Sequence, residues 1–395
     1  MQKKILFIDH DKGRTGSTIS LEYIVKAFQE CGYIVFILTP KGESDAHIMI
    51  SDGASIIPFK GNSIDLIRIE SHFTNVRKAY SGRGIIFNLR ELFKFIYGIK
   101  YFKKIINNVS PDLVYVNEHV VMQASVAAYS SKIPAILHMR SPLLKGNFGI
   151  RKKIFSRILL KFNTIVIAIT QIEASQLTSS KINRGKVRII GEFSPRLKYV
   201  DRENKNCFGI PQNKRVITML GGIEDIKGTL IFLKAAQQVV PKYSDVVFVI
   251  AGKNHKRKGG YFDKCMDIIM SLGEAGILLG EIVNPLDLIA VSTIVISPSV
   301  MTHFSRPIIE AWAYSLPVIA SNTEHMKDLI SDGVDGLLFE TGDYNALSHC
   351  ICQLLDDVEF CRRLGEEGEK KVREKFDADK NLQKIIEICD SLIKI

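Results

Sequence analysis

A chain of 395 residues predicts two domains of just under 200 each, and 46% hydrophobic residues with a mean hydropathy of +0.09 fit a globular protein with ample core. No apolar run approaches the ~18 residues of a membrane-spanning helix, and the opening Ile5-Leu6-Phe7-Ile8, cut off by Asp9, is too short for a signal peptide. The net charge of +11 is uneven: residues 1–200 carry 30 Lys and Arg against 14 Asp and Glu, and residues 201–395 carry 23 against 28.

A strongly basic first half suits an anionic surface, either nucleic acid or lipid headgroups. No nucleic-acid-binding motif accompanies the pI of 9.2, so nucleic acid is not an expected partner. Seven scattered cysteines show neither zinc spacing nor a disulfide framework, and they read as reduced thiols of the cytoplasm.

In chain order, Ile5–Ile8 predicts a strand, and a loop from Asp9 to Ser17 leads into a helix from about Thr18 to Cys31. Strands follow at Tyr33–Leu38, Leu113–Val116, Pro134–Leu137 (ending at His138), Ile165–Ile169 and Val187–Ile190, with a helix over Val120–Ser130. Strand, helix, strand at this spacing predicts a doubly wound parallel sheet. Between Ser63 and Asn108 the pattern changes. Ile85, Ile86, Leu89, Leu92, Phe93, Ile96, Ile99, Phe102 and Ile106 recur at helical spacing, interleaved with Arg83, Arg90, Lys94, Lys100, Lys103 and Lys104. A second basic amphipathic segment runs from Arg151 through Arg157 to Phe162. Both suit core-facing helices with solvated basic faces, and both suit peripheral binding to anionic lipid.

The polar, charge-mixed run Asp201–Asn206 places a domain boundary near 200. The same grammar then restarts. Strands are predicted at Val216–Leu220, Val246–Gly252, Gly276–Leu279, Thr293–Ile296 and Pro317–Ala320, with helices over Gly228–Val240 and Ala378–Ile395. The stretch Ser297–Asp343 brackets one helix between two buried strands, a βαβ layout. Ligands in open α/β sheets sit at the strands' carboxyl ends, and helix N-termini attract phosphate. Ser305, Arg306 and Glu310 are therefore expected to face a nucleotide-linked ligand.

Other candidates have plain alternatives. Gly13 and Gly16 allow close approach of a ligand, but the full dinucleotide fingerprint Gly-x-Gly-x-x-Gly is absent, which disfavours hydride transfer. Asp9-His10-Asp11 spells a metal-binding Asp-x-Asp, yet it ends the first strand and reads better as a polar loop. Lys227, at a loop-to-helix transition, is placed to neutralise a diphosphate as a point charge, or is a solvated surface lysine. Glu310 either complements a helix dipole or accepts ribose hydroxyls. His138 and Arg140, at a strand's carboxyl end, are placed to meet phosphate or a sugar hydroxyl.

The segments RPIIEAWAYSLPVIASN, ISDGVDGLLFETGD, LSHCICQLLDD, IEDIKGTLIFLKAA and LGEIVNPLDLIAVSTIVISPS together resemble the C-terminal domain of glycosyltransferase family 4. The likeness covers about residues 215–377 and thins over 1–200 to Arg14-Thr15-Gly16-Ser17 and PDLVYVNE…KIPAILHMRS. It implies a GT-B fold, two Rossmann-like doubly wound domains facing a cleft, with a final helix that crosses back. It also implies retaining transfer from a nucleotide sugar (a UDP- or GDP-sugar), usually without a metal. The family's lysine maps to Lys227, on the leaving diphosphate, and its glutamate to Glu310, on the donor ribose. Gly16, Gly221, Gly222, Ile282, Phe304, Ser305 and Arg306 are placed around the donor, and His138 and Arg140 join Lys227 as catalytic candidates. Two departures stand out: Gly222 replaces an arginine five residues before the lysine, and Thr302 replaces an acid eight residues before Glu310. Arg140, Arg306 or Arg14 are candidates to compensate.

The expectation is then an acceptor-binding domain at 1–200, a nucleotide-sugar-binding domain at 201–377 and a crossing helix at 378–395. The function expected is retaining hexosyl transfer to an acceptor hydroxyl of a saccharide or lipid-linked saccharide, in surface polysaccharide or glycolipid assembly. The place expected is the cytoplasm, peripheral on the inner face of the membrane. The alternative is a non-catalytic sugar-nucleotide-binding subunit. An epimerase or phosphorylase of the same fold would need extra acids or a Schiff-base lysine, and neither signature is present.

Overall fold

The computed structural model describes residues 2–11, 13, 15–40, 53–59, 63–69, 82–143, 149–177, 184–195, 205–254 and 259–393. Arg14, most of the run 201–206, and the side chains of Arg83 and Ile85 lie outside the described residues. The chain divides into two compact units, residues 1–193 with 379–395, and residues 194–378.

The first unit holds β1 (Lys4–Ile8), α1 (Gly16–Glu30), β2 (Ile34–Thr39), β3 (Ser55–Pro58), α2 (Ser63–Ile67), α3 (Gly82–Val109), β4 (Leu113–Asn117), α4 (Gln123–Ser130), β5 (Ala135–Met139), α5 (Ile150–Phe162), β6 (Ile165–Ala168), α6 (Gln171–Leu177) and β7 (Val187–Ile189). All seven strands are parallel, in the order β3-β2-β1-β4-β5-β6-β7. Burial on both faces explains the unbroken apolar strands. On β1, Leu6 and Ile8 join one core with Phe102 and Ile106 of α3, Ala124 and Ala127 of α4, and Leu159 of α5. Phe7 points to the other face, against Phe28 of α1 and Tyr115 of β4. The edge strand β3 is absent from the sequence reading, because its four residues are half exposed and too few to show a period.

The second unit runs β8 (Arg215–Leu220), α7 (Thr229–Val239), β9 (Val246–Ala251), α8 (Gly260–Ser271), β10 (Gly276–Gly280), α9 (Pro285–Ala290), β11 (Ile294–Ser297), α10 (Arg306–Ala313), β12 (Val318–Ser321), α11 (Glu324–Leu329), β13 (Leu337–Phe339), α12 (Tyr344–Asp356) and α13 (Val358–Lys375). Its six parallel strands are ordered β10-β9-β8-β11-β12-β13. Ile294 and Ile296 of β11 face α7, α8 and α12, whereas Val295 faces Trp312 of α10 and Val372 of α13. The last helix, α14 (Ala378–Ile393), belongs to the first unit from Asp379 on, where Asp390 accepts from the Tyr33 hydroxyl and Asn381 donates to the Glu192 carbonyl.

Each sheet reverses its winding once, between β1 and β4 and between β8 and β11. The carboxyl ends of those pairs are where ligands enter open α/β sheets.

The amphipathic stretch at 85–106 is only partly core. Phe102 and Ile106 are buried, while Ile86, Leu89, Leu92, Phe93 and Ile96, half exposed or more, stand in solvent. Lys94 corrects the reading of a uniformly basic outer face. It turns inward, with Nζ 3.0 Å from the Arg68 carbonyl oxygen and 3.3 Å from Glu91.

Candidate functional site

In the second unit the crossover point is built by two loops. After β8, the chain passes Gly221 and Gly222 and turns at Gly228, the residue before α7. Gly228 has φ +74°, and a Cβ there would lie 1.9 Å from the Pro298 carbonyl oxygen, so only glycine lets this turn press onto the loop after β11. Gly222 is equally constrained. At φ +70° its Cβ would meet the Lys253 carbonyl oxygen at 2.5 Å, which leaves no room for the side chain of an arginine.

Lys227 lies between these glycines with its stem across Gly221. Its ammonium is 3.0 Å from His303 Nε2 on the β11 loop. Burial lowers the lysine from its ordinary value, and Glu224 offsets this only in part. Burial, and then the Lys227 charge, push His303 down to about 3, so the imidazole is neutral at pH 7. Neighbouring Thr302 accepts from, or donates to, His325 Nδ1 at 2.8 Å. The position that the resemblance gives to an acid thus carries a hydroxyl held by a buried histidine.

Ser305 precedes α10 with Oγ 2.9 Å from Ser297 Oγ, at the end of β11. Pro307 fits the helix's first turn because its missing N–H has no intrahelical acceptor there. One turn later Glu310 is buried and accepts from Arg306 Nε at 2.7 Å. Arg306 therefore orients Glu310, which places it differently from a free cation at a diphosphate. Phe304 packs at 6.1 Å from Phe376, and Ile282, after β10, is half-buried against the Val249 and Leu288 cluster.

In the first unit Gly16 opens α1, whose N-cap Thr15 forms a capping box with Thr18. Thr15 and Ser17 both donate to the Asp11 carboxylate, at 2.5 and 2.6 Å. Burial opposes the Asp11 charge, but His10, these hydroxyls and Arg68 outweigh it and hold its carboxyl below the usual range. A carboxylate already stands where an anion would meet this helix.

His138 corrects a boundary. Pairing with β6 carries β5 on to Met139, so His138 lies inside the strand at 1% exposure. Its Nδ1 accepts from the Tyr115 hydroxyl at 2.6 Å and from Arg140 at 3.2 Å, and Nε2 has no partner. Burial, then Arg140, hold it well below its ordinary value. The side chain is sealed in the core, and does not face a ligand as the sequence suggests. Arg140 is buried too. It donates from Nε to Asn117 at 2.9 Å and from its terminal nitrogen to the Glu192 carboxylate, which also receives the Ser20 hydroxyl. These bonds make Arg140 a brace between β4, β5 and residue 192.

Sequence reasoning missed Asn117, Glu118, His119 and Glu192 in this belt, and His303 and His325 in the second unit. Glu118 is conspicuous: φ is +92°, a region rarely adopted by a residue with a side chain. Its carboxylate accepts from the His119 and Arg140 backbone N–H groups at 2.8 and 3.1 Å. Burial raises its pKa, yet His119 wins and keeps it below the usual range. The available signal was positional, since polar residues follow directly after β4 as they do after β1.

Four likenesses to known proteins bear on this geometry. Residues 200–371 match the family described as Glycosyl transferases group 1. The capsular polysaccharide biosynthesis glycosyltransferase CapM of Staphylococcus aureus is 20% identical over 349 residues, 86% of this chain and 87% of that one. The UDP-Gal:alpha-D-GlcNAc-diphosphoundecaprenol alpha-1,3-galactosyltransferase of Escherichia coli is 26% identical over 204 residues, 51% of this chain and 52% of that one. The crystal structure of Anabaena Alr3699/HepE in complex with UDP and glucose superposes with a TM-score of 0.76 at 18% identity, covering 99% of this chain and all of that one. Residues 200–371 therefore match the glycosyl transferases group 1 family, and the chain has the GT-B fold.

Proposed function

We propose that this glycosyltransferase moves a hexosyl group, with retention, from a nucleotide diphosphate sugar to a hydroxyl of a saccharide or lipid-linked saccharide. The observation that carries the reading is the half-buried Lys227 ammonium at the sheet's crossover point, with Arg306-oriented Glu310 on the helix that follows the adjoining strand. Lys227 stabilises the charge that develops on the departing diphosphate, in a site where low dielectric strengthens it. Glu310 accepts from the ribose hydroxyls, and the backbone N–H groups about Phe304, Ser305 and Arg306 meet the phosphates. Gly221 and Ile282 lie at the ends of β8 and β10 on the donor side of the second sheet, Gly222 keeps the turn after β8 tight, and Gly16 opens a helix of the first unit. His138 and Arg140 serve by holding the strand ends of the first unit, which receives the acceptor. No metal is required in this scheme.

A UDP-sugar is favoured as donor because UDP is named in both the galactosyltransferase relative and the similar structure. An acceptor on a polyprenyl diphosphate follows the galactosyltransferase relative, and a place in surface polysaccharide assembly follows the CapM relative. The test is release of nucleoside diphosphate from a panel of UDP- and GDP-sugars, with and without acceptor, in the presence of a chelator. Binding of a donor without any release would instead make the chain a sugar-nucleotide-binding subunit.

The place of action proposed is the cytoplasmic face of an anionic membrane. Among the described residues no helix is long and apolar enough to cross a membrane. On α3, exposed Ile86, Leu89, Leu92, Phe93 and Ile96 stand beside Arg90, Lys100, Lys103 and Lys104, and on α5 exposed Ile150 and Ile154 stand among Arg151, Lys152, Lys153 and Arg157. Both helices cover the same face of the first sheet. Each basic side chain near such a surface adds on the order of 1 kcal/mol. The protein is expected to pellet with anionic vesicles and not with neutral ones, less so as salt is added. Phe93→Ser/Ile96→Ser should weaken this without altering turnover of a soluble acceptor. Equal recovery with both vesicle types counts against the membrane assignment.

A further inference from the structure

The loops after β8 and β11 are stitched together by short bonds. Ser299 Oγ donates to the Ile226 carbonyl at 2.8 Å, and Val300 N–H donates to the same oxygen at 3.1 Å. His303 completes the seam. Its Nδ1 is 3.0 Å from the Met301 carbonyl oxygen, an acceptor only, so Nδ1 carries the proton. Its Nε2 is 3.0 Å from Lys227 Nζ, a donor only, so Nε2 accepts. One neutral tautomer satisfies both neighbours.

From this geometry we propose that His303 is a positioning residue for the lysine that meets the departing diphosphate. A lysine ends in a point charge on a flexible four-carbon stem, with three N–H donors free to turn. Nε2 of His303 takes one donor and so fixes the direction of the other two. The imidazole is in turn fixed by a backbone carbonyl in the stitched loop, and the Lys227 stem lies across Gly221. The ammonium is thereby held in place before substrate arrives, and pre-organisation of this kind raises kcat because the charge need not be reoriented during reaction. Its low pKa agrees, since burial keeps the imidazole an acceptor through the neutral range.

This inference rests on Lys227 acting on the leaving group, and the experiment separates the two claims. His303→Gln places an amide oxygen near the former Nε2, whereas His303→Asn ends near Nδ1 and does not reach the lysine. Each is made alone and with Lys227→Ala, and kcat and donor KM are read from nucleoside diphosphate release. His303→Asn should lower kcat about tenfold with donor KM within about twofold, and His303→Gln should stay within about threefold of the parent. In the Lys227→Ala background, His303→Asn should change kcat by less than about twofold, because a group that acts through another has nothing left to position. Equal damage from Gln and Asn, or a tenfold loss that persists without the lysine, overturns the proposal. Near-normal turnover of Lys227→Ala alone removes the lysine from the reaction, and the positioning role falls with it.

Discussion

Lys227→Ala is expected to lower turnover about a hundredfold, equivalent to about 2.7 kcal/mol of transition-state stabilisation. The lysine is the cation beside the crossover of β8 and β11, and the familiar arginine partner has no place to stand. Gly222 occupies that position with its backbone against Lys253, so no side chain fits there without moving the β9 loop. Arg306 donates from Nε to Glu310. With glycine at 222 and Arg306 bonded to Glu310, the loss of Lys227 should fall chiefly on kcat, measured as nucleoside diphosphate release at saturating donor. Lys227→Arg should recover little, since the site is shaped for a point charge against His303. Turnover within about twofold of the parent in Lys227→Ala would end this account of the chemistry.

Arg140→Met is expected to act on stability before it acts on catalysis. Arg140 and Glu192 are both buried, and the guanidinium also braces Asn117. Removing one member of a buried ion pair typically costs about 3–5 kcal/mol, because the remaining charge keeps its desolvation penalty. In a unit of this size that shifts the unfolding midpoint by on the order of 10 °C. Replacing both partners, Arg140→Met with Glu192→Leu, should recover most of the loss, as an apolar pair leaves no stranded charge. The measurement is thermal unfolding followed by circular dichroism, with turnover recorded at a temperature where each variant is folded. An unchanged midpoint with abolished turnover would return Arg140 to the chemistry that the sequence suggests for it.

The two substitutions sort the predicted site residues by what the fold does with them. Lys227 and Glu310 end up on loops and a helix turn at a crossover, where a ligand has access to strand ends. His138 and Arg140 look equivalent to them in sequence, as polar residues at the end of an apolar run. They differ because β5 pairs one residue further with β6 and because Glu192, 52 residues on, claims the guanidinium.

What the sequence determines by itself here is local. Buried parallel strands must be apolar on both faces, so runs such as Leu113–Val116 and Val216–Leu220 announce themselves, and the tandem order of strands and helices implies two doubly wound sheets. Edge strands escape, because β3 and β13 owe their conformation to a neighbour's hydrogen bonds more than to their own periodicity. The glycines and the lysine of the second unit are legible because their spacing is short. Only the tertiary structure decides which polar groups meet. Lys227 and His303 are 76 residues apart, and the Asp9–Asn117 and Arg140–Glu192 contacts join ends of strands far apart in the chain. A parallel sheet brings successive carboxyl ends to one edge, but register and side-chain packing choose the partners there. The same holds for α3: its apolar spacing is plain in the sequence, and only tertiary packing decides that Phe102 is core while Phe93 is left to solvent.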